Sequence, residues 1–272
     1  MKRIEAFRKS RRMVIKIGTQ VLTSTNDRLD VSVIEHIVEQ VCYLVKKKES
    51  EIIIVTSGAI AAGMQVLGWK KRPDDINKLQ AAASIGQSRL MRVYERLFRE
   101  EGINVGQILL TRDLFVTRER ESIAGGTIST LLKLGVIPVI NENDSVAVDE
   151  IKFGDNDTLS CLVADLCGAD MLVILTDVDG LSNSDPKINR ESKVIKDVRN
   201  MDEINGVVAG GPSRQGSGGI QSKIAAAKHA VGSGKFCIIL NGKKMWILKK
   251  AASGESVGTM FYPERIKSGK KR

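Results

Sequence analysis

Residues 52–63 read IIIVTSGAIAAG, and this stretch decides the fold class. The apolar run Ile52–Thr56 is short and rich in β-branched residues, as is typical of a buried strand. Ser57, Gly58 and Ala59 follow at once, and the alanine-rich residues after them favour a helix. A strand that leads directly into a helix is typical of a parallel sheet covered by helices.

The same alternation of strand and helix continues on both sides of this stretch. Hydrophobic spacing predicts further strands at residues 13–17, 107–110, 136–140, 171–176 and 236–240, and further helices at residues 31–47, 75–101, 127–133, 156–166 and 220–231. Pro138 lies inside one predicted strand and indicates a sheet edge or an irregular strand end. We therefore expect an α/β fold, a three-layer α/β/α sandwich with a mainly parallel central sheet.

The composition indicates a folded protein whose excess charge lies at its two ends. With 272 residues and 42% hydrophobic content, the chain can form a sizeable core in one or two domains. Residues 1–12 hold six basic side chains and one acidic one, and residues 262–272 hold five and one. We expect a solvated basic leader at 1–12, one folded domain at 13–261 and a solvated basic tail at 262–272. Nucleic acid is not an expected partner, because a nucleic-acid reader carries its charge on a folded face.

Several kinds of chemistry are disfavoured. The four cysteines form no CxxC pair, so neither a zinc site nor a disulfide framework is predicted. Two isolated histidines, His36 and His229, give little support to a Ser–His–Asp hydrolase. The patterns GxxxxGK[ST] and GxGxxG are absent. No signal peptide and no apolar run of transmembrane length is found, so we expect a cytoplasmic protein without a membrane partner.

Two predicted strands end in residues suited to anions. Lys16 ends the first strand, two residues before Gly18, and ligands of open α/β sheets bind at this edge. Ser57 and Gly58 precede a helix whose N-terminus would stabilise a carboxylate or phosphate. A simple serine cap with a glycine turn explains the second segment about equally well.

Two longer loops carry the other candidate residues. Residues 141–144 (NEND) and 154–157 (GDND) are dense in carboxylates and amides, which suits a small zwitterion whose ammonium would meet Asp144. Residues 217–223 (SGGIQSK) bring a glycine pair and Lys223 to a helix start, as phosphate-binding loops do. Taken alone, residues 217–223 are better explained as a surface loop with an exposed lysine.

Together these features indicate phosphoryl transfer. Two distant lysines, two helix N-termini and one carboxylate cluster could stabilise a phosphoryl group in flight. A carboxylate acceptor, with a pKa of about 4.3, is already ionised at neutral pH and needs no general base.

The chain closely resembles the glutamate 5-kinases of the amino acid kinase family. The resemblance runs from about Val14 to Phe261 and rests on these segments: VIKIGT (14–19), IVTSGAIAAG (54–63), VGQILLTR (105–112), PVINENDSVA (138–147), EIKFGDNDTLS (150–160), LTDVDGL (175–181), SGGIQSK (217–223) and VGTMF (257–261). It implies the amino acid kinase fold and transfer of the γ-phosphoryl group of ATP to the side-chain carboxylate of L-glutamate, the first step of proline synthesis. A kinase of another small acid, or a non-catalytic RNA-binding or regulatory relative, is the alternative.

The resemblance also implies roles for individual residues. The catalytic residues would be Lys16, Asp157 and Lys223, with Asp157 holding the lysines in place. Glutamate would bind to Ser57, Gly58, Ala59, Asn141, Asp144 and Asn156. ATP would bind to Lys16, Gly18, Thr176, Asp177, Ser217, Gly218, Gly219, Ile220, Gln221, Ser222 and Lys223, with Gly18, Gly58 and Gly219 giving backbone donors to the phosphoryl group.

The remaining implications concern cofactor, assembly and departures from the family pattern. Mg²⁺ would be held mainly by ATP phosphates and water. A homo-oligomer, dimer or tetramer, is expected, with proline as a possible feedback inhibitor. Residues 121–126 (ESIAGG) depart from the family pattern, and their two glycines predict weakened helical order. We expect no C-terminal PUA domain, a module that many relatives carry.

Overall fold

The computed structural model describes residues 1–24, 26, 28–146, 156–184, 191–204 and 219–263, without the side chains of residues 112 and 113. The strands are β1 (Arg12–Ile17), β2 (Glu51–Val55), β3 (Asn104–Leu110), β4 (Val136–Glu142), β5 (Met171–Thr176), β6 (Asp197–Val198), β7 (Phe236–Asn241) and β8 (Thr259–Phe261). The α-helices are α1 (Arg3–Lys9), α2 (Thr19–Leu22), α3 (Val31–Lys48), α4 (Ala59–Val66), α5 (Ile76–Glu100), α6 (Arg118–Lys133), α7 (Asn156–Leu166), α8 (Ile220–Gly232) and α9 (Ile247–Ala252). Short 3₁₀ helices occupy Arg112–Val116 and Met201–Ile204. None of these described helices is long and apolar enough to cross a membrane.

The strands of the described residues form one eight-stranded sheet in the order β3-β4-β2-β1-β5-β7-β8-β6. Neighbouring strands run parallel except β7 and β8, which are antiparallel. Lys16 on β1 lies opposite Val55 on β2 and Ile174 on β5. The carboxyl ends of these three strands therefore meet at one edge in the middle of the sheet.

Helices cover both faces of the sheet, which confirms the three-layer α/β/α architecture. Side chains of β1 alternate between the faces: Ile15 and Ile17 belong to one hydrophobic cluster and Val14 to the other, all fully buried. The first cluster includes residues of α3 and α5, and the second includes residues of α6, α7 and α8. Burial on both faces explains why the central strands read as continuous apolar runs rather than as alternating ones.

The strand that contains Pro138 is not an edge strand. β4 lies between β3 and β2, so the prediction of a sheet edge is wrong and β3 occupies that position. Pairing with β2 is limited to Val139 and Ile140, directly after the proline. A proline cannot donate a ladder hydrogen bond, and the sheet accommodates it where pairing with β2 has not yet begun.

Helix α6 is nine residues longer at its N-terminus than predicted. It includes Gly125 and Gly126, whose presence predicted weakened order. A Cβ atom at Gly125 would lie 3.3 Å from Leu166 Cδ1, so the missing side chain permits close packing on α7. Tertiary packing here outweighs the intrinsic helix propensity of glycine.

The first twelve residues are not a solvated leader, and that prediction is wrong. Residues Arg3–Lys9 form α1, and Ala6 and Phe7 are buried in the core. Arg3 is 6% exposed, forms an ion pair with Asp197 at 3.1 Å and donates hydrogen bonds to the carbonyl oxygens of Val257 and Lys196. A basic residue was therefore misread as solvated because its acidic partner lies far along the chain.

Candidate functional site

Two buried lysines converge on one buried aspartate. Lys16 Nζ lies 2.6 Å from Asp157 Oδ1, and Lys223 Nζ lies 3.3 Å from Asp157 Oδ2. Asp157 is fully buried, and the two lysines are 5% and 6% exposed. Ser222 Oγ donates a further hydrogen bond of 2.7 Å to Asp157 Oδ2. The structure thus brings together the three residues that the sequence suggested as catalytic.

Each member of this cluster comes from a different element at the same sheet edge. Lys16 is near the end of β1, Asp157 is the second residue of α7, and Lys223 is in the first turn of α8. Gly219 precedes α8 in an extended conformation, with φ −61° and ψ 174°. The parallel sheet places strand ends and helix starts side by side, which is why residues distant in sequence meet here.

The charges in the cluster depend on one another. Burial raises the pKa of Asp157, but Lys16 and Lys223 lower it more, so its pKa lies below the ordinary value. Burial lowers the pKa of Lys223, and Asp157 offsets part of this effect while Lys16 adds to it. Two ammonium groups against one carboxylate leave the site with a net positive charge, which suits an anionic ligand.

A chain of side-chain amides lies beside the lysines. Asn156 Nδ2 donates to the Thr56 carbonyl oxygen at 2.6 Å, to Ser57 Oγ at 3.0 Å and to Asn141 Oδ1 at 3.0 Å. Asn141 Nδ2 donates in turn to Gln87 Oε1 at 2.8 Å. Three predicted site residues, Ser57, Asn141 and Asn156, are therefore in one hydrogen-bonded group.

Glycines in the turn after β2 and in the two helices that follow it fix the position of this turn. Gly58 has φ 97°, a left-handed conformation that a side chain would strain, and α4 begins at the next residue. A Cβ atom at Gly86 would overlap the Ala59 carbonyl oxygen, and one at Gly63 would overlap the Ala82 carbonyl oxygen. Helices α4 and α5 therefore touch backbone to backbone, which sets the position of the turn.

A cavity of about 270 Å³ adjoins this turn. Its walls include Ala59 on α4, Gln87 on α5, and Glu142 and Asp144 at the end of β4. Asp144 is half-buried. The cavity thus combines carboxylate and amide groups next to the amide chain, as a site for a small zwitterion requires.

The predicted nucleotide residues beyond Gly18 lie at the end of β5 and at the start of α8. Thr176 is buried at the end of β5, and its hydroxyl donates to Asp177 Oδ1 at 3.1 Å. Asp177 is exposed and lies near enough to Lys223 to raise the pKa of that lysine. On α8, Ile220 packs partly against the core and Gln221 is exposed.

The structure adds one observation on Gly18. Its N–H donates to the Leu175 carbonyl oxygen at 3.1 Å and is engaged within the fold, while its role as a donor to the phosphoryl group stays a prediction. A Cβ atom at Gly18 would lie 3.6 Å from Lys16 Nζ, so glycine leaves space beside the ammonium group. Ser217 and Gly218, together with residues 154 and 155, lie outside the described residues.

Sequence reasoning missed two residues of α5 that support the site. Tyr94 is fully buried, and its hydroxyl oxygen lies 2.8 Å from Thr56 Oγ1. Gln87 is 9% exposed and accepts the hydrogen bond from Asn141. The sequence did contain a signal for Gln87, which lies within the buried stripe of an amphipathic helix. A buried polar side chain requires hydrogen-bond partners.

The buried lysine–aspartate cluster lies at the carboxyl edge of a mainly parallel sheet. This arrangement is typical of an α/β protein that binds anions. Residues 11–241 match the model of the amino acid kinase family, and the chain belongs to that family. No group of three or more His, Cys, Asp and Glu side chains that could hold a metal ion occurs among the described residues.

Curated relatives agree with this assignment, and solved structures share the fold. A glutamate 5-kinase of Caldanaerobacter subterraneus is 47% identical over 253 residues, 93% of this chain and 68% of that protein. A glutamate 5-kinase of Pseudomonas putida is 48% identical over 257 residues, 94% of this chain and 69% of that protein. The UMP kinase of Bacillus anthracis has a similar fold, with a TM-score of 0.61 and 16% identity over 94% of this chain and 97% of its own. The UMP kinase of Ureaplasma parvum has a TM-score of 0.62 and 15% identity, and the match covers 93% of this chain and 99% of its own.

Proposed function

We propose that this chain transfers the γ-phosphoryl group of ATP to the side-chain carboxylate of L-glutamate and forms L-glutamyl 5-phosphate, the first step of proline synthesis. The observation that carries the proposal is the convergence of Lys16 and Lys223 on the buried carboxylate of Asp157. The identity of 46–48% with glutamate 5-kinases supports the choice of substrate.

Glutamate would occupy the cavity next to α4. Asp144 would pair with the ammonium group of the substrate, and Ser57 and Asn156 would direct its side-chain carboxylate toward the lysines. The turn at Gly58 and Ala59 would contribute backbone N–H groups near the start of a helix. In this arrangement the N-terminal half of the chain would mainly bind glutamate and the C-terminal half ATP.

ATP would bind over the ends of β5 and β7 and the start of α8. Thr176, Asp177 and residues 217–223 would surround it, with Lys223 directed at the transferred group. Asp157 already holds two ammonium groups, so the donor set of the cluster suits phosphate oxygens rather than a bare cation. Mg²⁺ would enter with ATP, bound largely by phosphate and water, and would neutralise phosphate charge.

The lysines would stabilise the charge that develops as the phosphoryl group moves. A carboxylate oxygen of glutamate attacks the γ-phosphorus, a new P–O bond forms, and the bond to the leaving ADP breaks. The acceptor is already ionised, so no proton has to be removed from it. Asp157 acts as a positioning residue that holds both ammonium groups close to the same point.

An assay of ADP release with different acceptors tests the proposal. We expect turnover with L-glutamate, little with L-aspartate, and little with N-acetyl-L-glutamate, whose acetyl group removes the ammonium that Asp144 would bind. Preference for aspartate or N-acetylglutamate would assign the chain to another small-acid kinase. No turnover with any acceptor, together with salt-sensitive RNA binding, would assign it to the non-catalytic alternative.

Three further properties stay proposals. They are a cytoplasmic location, assembly into a homo-oligomer, and feedback inhibition by proline. Light scattering and a proline titration in the same assay would test the last two.

A further inference from the structure

Gln87 lines the same cavity as Asp144 but lies in none of the segments on which the resemblance rests. Its amide nitrogen, Nε2, is buried and has no hydrogen-bond partner among the residues that the structure describes. An unsatisfied buried donor is destabilising and is rare in folded proteins. Because the Gln87 residue also lines a polar cavity, an unpartnered donor on this side chain indicates a ligand that completes its hydrogen bonding.

The orientation of the Gln87 amide follows from its neighbours. The Thr56 carbonyl oxygen can only accept, so Asn156 must direct its amide nitrogen toward it. Asn141 must then present its oxygen to Asn156 and its nitrogen to Gln87. Gln87 consequently offers its oxygen to Asn141, and its nitrogen is the donor left at the end of the chain.

The chemistry of the cavity indicates which ligand atom this donor meets. Glu142 and Asp144, which also line the cavity, are acidic and suit an ammonium group rather than a carboxylate. Ser84 and Ser88 line it too, but their hydroxyl groups donate to the carbonyl oxygens of Gln80 and Ile85 on the same helix. Gln87 is therefore suited to bind the negative end of a zwitterion.

The position of Gln87 along the amide chain distinguishes the two carboxylates of glutamate. Asn156 is adjacent to Asp157 and hence to the lysines, whereas Gln87 lies at the opposite end of the chain beside the Asp144 cavity. The reacting carboxylate must lie near the lysines. We infer that Gln87 Nε2 donates a hydrogen bond to the α-carboxylate of the amino-acid substrate and thereby helps to select it. This inference rests on the proposed function.

Two substitutions at this position test the inference. Gln87→Glu keeps an oxygen for Asn141 and replaces the donor by an anionic oxygen, and Gln87→Met removes the donor at similar volume. We expect the KM for glutamate to rise about tenfold in Gln87→Met, in line with a hydrogen bond to a charged group, and further in Gln87→Glu. The KM for ATP should stay within about twofold, because the nucleotide lies at the other end of the site.

Matched controls make the result specific. Arg89→Met changes an exposed residue of the same helix that does not line the cavity, so its KM for glutamate should equal that of the unmodified chain. 4-Aminobutyrate lacks the α-carboxylate, so its inhibition constant against glutamate should be the same in Gln87→Met and in the unmodified chain. An unchanged KM for glutamate in both Gln87 variants would overturn the inference while leaving the proposed function intact.

A measurement on the unmodified chain covers the case in which the variants do not fold. In a crystal grown with glutamate and a non-hydrolysable ATP analogue, we expect Gln87 Nε2 within about 3.2 Å of an α-carboxylate oxygen. A glutamate molecule whose α-carboxylate lies elsewhere would refute the role of Gln87. Failure of the unmodified chain to phosphorylate glutamate would instead refute the proposed function.

Discussion

At the scale of single residues, the site depends on three charges that would be unfavourable alone. A fully buried carboxylate is stable as an anion only with close partners, and Asp157 has Lys16, Lys223 and Ser222. Lys223 likewise depends on Asp157, which raises its pKa against the effect of burial. Removal of any member should therefore affect the others, as is usual for buried ion pairs.

Replacement of Lys223 by alanine should lower kcat about a hundredfold or more, because it removes a preorganised charge at the transferred group. Lys228 is an exposed lysine on the same helix and provides a matched control, so Lys228→Ala should leave kcat unchanged. Glutamate-dependent ADP release measures both. A Lys223→Ala variant with nearly the original kcat would contradict the assigned role.

The lowered pKa of Lys223 should appear in the pH dependence of turnover. We expect kcat to fall at alkaline pH with a midpoint below 10.5, the ordinary lysine value, as Lys223 loses its proton. Since its pKa is lower in the folded state than in the unfolded state, loss of this proton on raising the pH favours the folded state. Turnover should thus decline before the free energy of unfolding does.

Parallel pH series of kcat and of urea denaturation would check this order. Lys228→Ala should show the same alkaline midpoint as the unmodified chain. If the chain unfolds at a lower pH than the one at which kcat falls, Lys223 is not the group that causes the alkaline fall in kcat.

At the scale of elements, the contact between α4 and α5 positions both the Gly58 turn and Gln87. Its closeness depends on Gly63 and Gly86, which let the two backbones touch. A displaced α5 would shift Gln87 and Tyr94, which bind the amide chain and Thr56. The helix pair is therefore part of the architecture of the site.

Gly86→Ala should destabilise the chain by about 1–3 kcal/mol, because its methyl group would overlap the Ala59 carbonyl oxygen and force the helices apart. Gly126→Ala is the matched control: it also lies within a helix, and no heavy atom lies within 4 Å of its added Cβ. That control should stabilise the chain by about 0.5–1 kcal/mol. Urea denaturation compares the two, and equal effects of the same sign would disprove the packing argument.

At the scale of the whole molecule, α1 ties the N-terminus to the far end of the sheet. Arg3 pairs with Asp197 on β6, and the Tyr262 hydroxyl donates to the same carboxylate at 2.7 Å. Arg199 lies over the Tyr262 ring at 4.5 Å. These contacts join the first residues to β6 and to the residues that follow β8.

Arg3→Met should lower the free energy of unfolding by about 2 kcal/mol, because several buried acceptors lose their donor. Arg8→Met on the exposed side of the same helix should change it by less than about 0.5 kcal/mol. Denaturation of both variants would measure this, and kcat should be unchanged because α1 is remote from Asp157. Equal stability of the two variants would show that α1 contributes little.

The sequence determined the elements, while only the tertiary structure decided their neighbours. Apolar spacing located α3, α5, α7 and the central strands because burial imposes a period along a short segment. It also identified Lys16, Asp157 and Lys223 as candidates. It did not reveal the interior position of β4, the partner of Arg3, the engaged N–H of Gly18 or the buried amide of Gln87. These depend on contacts between residues far apart in the chain, and no local pattern specifies such contacts.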